Sequence, residues 1–118
     1  MSEEQTSLGS IHVSPDAIAT IAYHATLRSY GVVGLAAKNA AVGLAQTITR
    51  DPNRGVSVHY DGDKIDIDIY VIVQYGTRIT SVATSVANTV RFNVEKALGL
   101  KVNSIDVHVA GLRVSDDD

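Results

Sequence analysis

The chain has no cysteine and no tryptophan, a single phenylalanine and only two prolines. Without cysteine there is no disulfide framework, no thiol nucleophile and no Cys-based zinc site, a composition that fits a reducing compartment. One Phe and five Tyr leave few flat surfaces on which bases or sugars would stack. No apolar run approaches the roughly 18–20 residues of a membrane-spanning helix, and the acidic, polar start MSEEQTSLGS lacks the basic and apolar regions of a signal peptide. The glycine and histidine signatures of dinucleotide, P-loop, zinc-protease and serine-hydrolase sites are missing too. No cofactor is implied.

What is present is enough for one core. At 118 residues and 12.5 kDa the chain has the size of one domain, and 45% apolar residues with a mean hydropathy of +0.09 exclude global disorder. The net charge of −3 argues weakly against a dedicated nucleic-acid binder. Its sign comes from the ends, Glu3 and Glu4 at one and Asp116, Asp117 and Asp118 at the other. The rest holds ten Lys and Arg against eight Asp and Glu, a balance of +2. The expected organisation is a flexible leader over 1–8, one domain over 9–114 and an acidic tail over 115–118.

Alternation in Ser10-Ile11-His12-Val13 suggests a short strand, and Ser14-Pro15-Asp16 is a strong helix start: a capping hydroxyl, a proline at the first helical position and an acid in the first turn. A helix to about Tyr30 is expected, with Ile18, Ile21, Ala22 and Ala25 on one face and Tyr23, Leu27 and Tyr30 on another. Helical spacing of Ala41, Leu44, Ala45 and Ile48 predicts a shorter helix over 38–49, and Asp51–Gly55 reads as a loop. Val56, Val58 and Tyr60 alternate into an Asp61-Gly62-Asp63 turn. A long strand follows, with Ile65, Ile67, Ile69, Val71 and Val73 on one face and Asp66, Asp68, Tyr70, Ile72 and Gln74 on the other. Thr77 is placed to cap a helix whose stripe Val82, Val86, Val90, Val94 ends at Gly99. In the last strand Ile105, Val107 and Val109 face one way, and Gly111 shifts the register to Leu112 and Val114.

This order predicts an α+β protein, a two-layer sandwich of split β-α-β-β-α-β (ferredoxin-like) type with an extra short helix after the first helix. The third strand, long helix and last strand form a crossover unit, which makes those strands parallel. A KH-like arrangement uses similar elements.

Three sets of residues are candidates for function. Period-two alternation brings His59, Asp66, Asp68, Asp106 and His108 to the open sheet face, where carboxylates and imidazoles could ligate a divalent metal or another ligand; a solvated face is the simpler account. His12 and His24 have no visible acid or nucleophile beside them. Gly31-Val32-Val33-Gly34 has the bare spacing of a KH backbone clamp for nucleic acid, and Lys38, Arg50 and Arg54 follow it, but its apolar flanks and lack of internal charge favour a close-packed helix end. Phe92 lies nearly opposite the valine stripe of its helix. Together with Tyr70 and Ile72 it marks a surface for self-association or a partner, unless the insertion helix folds over it.

Several blocks taken together resemble the alkaline shock protein family of Gram-positive bacteria, in its small, tail-less branch. They are GSIHVSPDAIATIA at 9–22, YGVVGLAAKN at 30–39, RGVSV at 54–58, IDIDIYVIVQYGTRI at 65–79, VANTVRFNVEKALGL at 86–100 and VNSIDVHVAGLRV at 102–114. The resemblance implies a cytoplasmic, non-enzymatic protein that associates with itself and can lie at the membrane through an integral partner. Relatives accumulate under alkaline or envelope stress. This branch is commonly encoded beside a fatty-acid kinase, which suggests a role in phospholipid or envelope homeostasis. Stress-induced members carry long charged tails, whereas this chain has short acidic ends. The expected function is therefore that of a self-associating scaffold that docks a partner protein and performs no catalysis.

Overall fold

The computed structural model describes residues 4–6, 9–38 and 48–114, which fold as a two-layer α+β sandwich with helices packed on one face of a mixed sheet. The fold class expected from the sequence is the one found. A hairpin of β1 (Glu4–Thr6) and β2 (Gly9–Ile11) comes first, pairing within itself and not with the main sheet. The span read as a leader thus contains a strand, and the strand expected at residues 10–13 is β2, apart from the main sheet.

Helix α1 (Pro15–Leu27) begins as its sequence dictates: the Ser14 hydroxyl accepts a hydrogen bond from the Ala17 amide at 3.1 Å, and Pro15 occupies the first turn. It ends three residues before Tyr30. Gly31, at φ +83°, turns the chain into β3 (Val32–Ala36). The two ends of the helix expected over 38–49 are corrected: Lys38 lies in a turn, and Ile48–Thr49 is a strand, β4, paired with β3. The body of that helix, residues 39–47, lies outside the described residues. Asp51 caps a single turn, α2 (Pro52–Gly55), where a loop was expected.

Strand β5 (Val56–Tyr60) and strand β6 (Ile65–Gln74) form the hairpin, its turn fixed by the Asp61 carboxylate accepting from the amides of Asp63 and Lys64, each at 3.0 Å. Helix α3 (Ile79–Leu98) follows. Thr77 does not cap it; its hydroxyl donates to the Gln74 carbonyl and holds the preceding turn instead. Gly99, at φ +71°, closes the helix, and β7 (Ser104–Arg113) returns parallel to β6. The bulge expected near Gly111 is present between Val109 and Gly111.

β6 is the centre. On one side it pairs antiparallel with β5 along its first half and with β3 along its second, and on the other side it pairs with β7 over nearly its whole length. Its residues Ile65, Ile67, Ile69, Val71 and Val73 face the helices and are buried against Ile18 and Ala22 of α1 and the full valine stripe of α3. Each fully buried side chain of this kind contributes about 1.5–3 kcal/mol.

Candidate functional site

The reverse face of the sheet carries the polar residues that alternation placed there, and the register decides what they do. His59 lies opposite Asp66, Asp68 opposite Asp106, and Tyr70 opposite His108. The Asp66 carboxylate accepts from the Ser104 hydroxyl at 2.6 Å and from the Asn103 side-chain amide at 2.7 Å, and these hydrogen bonds, Ser104 first, hold its pKa below the ordinary 3.8. His108 Nε2 lies 2.9 Å from Asp68 Oδ1, and its ring stacks on Tyr70 with centroids 4.5 Å apart.

The five metal-ligand candidates are therefore not one cluster. Asp66 is used by the entry to β7, Asp68 by His108, and Asp106 and His59 stand exposed to either side. Among the described residues no three His, Asp or Glu side chains come together in a way that would hold a metal ion. The sequence reading missed Asn103 and Ser104, whose polar side chains just ahead of an alternating run were the available signal.

Two other expectations change. Ile72 is on the reverse face but only 1% exposed, so it is not a contact surface. It sits between Gly34 of β3 and Gly111 of β7, and the Ile48 side chain lies across Gly34, which gives this end of the face its own small apolar cluster. Nor is Gly31–Gly34 an open phosphate-tracking loop, because Val32, Val33 and Gly34 are in β3. A methyl group at Gly31 would meet Val82 Cγ2 at 2.5 Å, and one at Gly34 would meet Ile48 Cγ2 at 2.9 Å. These glycines serve close packing. Lys38 and Arg54 are joined through their backbones, Lys38 N–H donating to the Arg54 carbonyl at 2.7 Å, and their side chains are exposed.

Phe92 is 63% exposed on the outer face of α3, with the Lys96 ammonium 5.5 Å from its ring centroid. Tyr70 is half-buried under His108. A shallow groove of about 710 Å³ runs along the same helix between Arg78 and Thr89, lined by small hydroxyl and amide side chains.

Residues 3–114 match the sequence profile of the alkaline shock protein 23 family, described as having a cell envelope-related function. The chain belongs to the alkaline shock protein family. This alkaline shock domain is similar to uncharacterized protein YloU of Bacillus subtilis, 40% identical over 116 residues that cover 97% of each chain. It is also similar to uncharacterized protein Spy1614 of Streptococcus pyogenes, at 34% identity over 92% of each. A second Bacillus subtilis relative, uncharacterized protein YqhY, is 32% identical over 96% of this chain and 84% of that one. None of these three relatives carries an enzymatic name. Among solved structures, a variant of the MamM CTD in a zinc form has a TM-score of 0.48 at 16% identity, covering 85% of each chain. Among the described residues of the alkaline shock domain, no helix is long and apolar enough to cross a membrane.

Proposed function

We propose that this chain is a non-enzymatic, self-associating scaffold of the envelope stress response or of membrane-lipid homeostasis, which docks a partner protein. The observation that carries the docking of a partner is Phe92. The one Phe of the chain stands exposed on a helix whose four stripe valines are all buried, so its apolar surface has not been spent on the core. The family assignment supplies the envelope context. The reverse face supports a structural role, since Asp66 and Asp68 are engaged in tying β7 to β6. An integral membrane protein or a fatty-acid kinase are the partner classes that the family resemblance favours.

The test joins two measurements on the full chain. Sedimentation velocity over a wide concentration series should show a shift from monomer to oligomer. Native affinity purification should recover one of those two partner classes with the wild-type chain and lose it with Phe92→Ser. A chain that is monomeric throughout and retains the same partners after Phe92→Ser would overturn the reading.

A further inference from the structure

The outer edge of β7 is unpaired among the described residues, and beside its bulge and its charged Asp106 and Arg113 little guards it. It is ten residues long and contains neither lysine nor proline, and no described helix or loop pairs with it. Along its helix-facing side the cover thins steadily toward the C-terminal end: Ile105 and Val107 are half-buried, Val109 is 38% exposed, Leu112 50% and Val114 61%. Such an edge offers a row of backbone donors and acceptors beside an apolar stripe, the two ingredients of pairing by strand addition.

We infer that this edge pairs antiparallel with the same strand of a second copy, about a two-fold axis between Val109 and Ala110. The inference rests on the self-association proposed above and names its surface. The charges of the strand choose the occupant. In this register Asp106 lies opposite Arg113 of the other copy, twice over by symmetry, and both residues are exposed. Within one chain Asp106 faces Asp68 across the β6–β7 pair, a like-charge neighbour that a guanidinium from the second copy offsets.

The bulge makes the register consistent. Ahead of it Ile105, Val107 and Val109 face the helices, and beyond it Leu112 does, because Gly111 pairs with Ile72 and Leu112 with Val73. Pairing about the Val109–Ala110 point sets Val107 against Leu112 and Ile105 against Val114, so apolar residues meet apolar residues on one face. On the other face His108, already stacked on Tyr70, meets Gly111 and has room for its ring. A shift by one residue would put Asp106 against Leu112 and mix the two faces.

The test is a charge swap on the full chain, read by sedimentation velocity, with circular dichroism confirming that each variant is folded. Asp106→Arg and Arg113→Asp should each weaken association by roughly tenfold or more, since two cross-strand pairs turn from attraction to repulsion. The double variant Asp106→Arg with Arg113→Asp should restore it. Backbone amides of β7 should also gain hydrogen-exchange protection as the concentration rises. A wild-type chain that associates while both single variants associate equally well overturns the β7 interface but leaves self-association standing, as does a double variant that fails to recover. A wild-type chain that is monomeric at every concentration, with β7 amides protected only when a different protein is added, overturns both.

Discussion

At the residue scale, Gly31 is where backbone conformation and packing make the same demand. Its φ of +83° disfavours any side chain, and the space a Cβ would need is held by Val82. Gly31→Ala should destabilise the chain by about 2–4 kcal/mol in denaturant unfolding, adding backbone strain to overpacking. Truncating Val82 as well should relieve only the steric part. Asp66 gives a second residue-scale prediction. Hydrogen bonds from Ser104 and Asn103 lower its pKa from 3.8, so the folded state binds its proton more weakly than the unfolded chain. Its stabilising contribution is present above that value and lost as the pH falls through the lower folded-state pKa. Thermal melts of wild type and Asp66→Asn should accordingly differ most near neutral pH and converge as the pH drops below 3.8. Spacing alone left Gly31–Gly34 open between a phosphate clamp and a packed turn. What decides it is Val82 and Ile48, side chains far away in sequence, and periodicity carries no information about them.

Elements were legible to the degree that their pattern was local. The alternation of β6, the valine stripe of α3, the Ser14-Pro15 start of α1 and the bulge near Gly111 each follow from a period or a cap, and each is present. β3 was not legible, because GVVGLAA is a continuous apolar run and short buried strands of that kind have no periodicity to separate them from helix. Between α3 and β7 the chain is held by a device that no local pattern announces. Arg91 donates to the Val102 carbonyl at 2.6 Å, while Glu95, one helical turn on, accepts from the Val102 amide at 2.9 Å. The two side chains also face each other at 3.7 Å, so they grip both polar groups of one residue and fix where β7 begins. Arg91→Ala and Glu95→Ala should each cost about 1 kcal/mol, and the double variant less than their sum, since either loss frees the same residue. A double-mutant cycle in urea measures that coupling; strict additivity would show that the two contacts act separately.

For the whole molecule the sheet topology determines which surfaces remain available. β3 and β5 share one side of β6 end to end, β7 alone takes the other, and the helices cover one face, so among the described residues the outer edge of β7 and the outward side of α3 are two of the surfaces left unused. The polar candidates on the reverse face were placed correctly by parity, but parity is silent on cross-strand register, and register is what gives Asp66 and Asp68 different partners and leaves Asp106 exposed. Those two surfaces belong to different elements and differ in kind, one a strand edge with matched charges, the other an exposed aromatic flanked by a cation. They should be separable. Phe92→Ser removes a ring that the fold does not bury, so the monomer's unfolding free energy should change by no more than about 0.5 kcal/mol. Its self-association constant should stay at the wild-type value while partner recovery is lost. Asp106→Arg should do the reverse, weakening self-association and sparing the partner, unless the partner requires the oligomer. Combining the two substitutions settles that point: independent surfaces give effects that add, whereas a partner that reads only the assembled form is lost with Asp106→Arg alone and regained with the compensating Arg113→Asp.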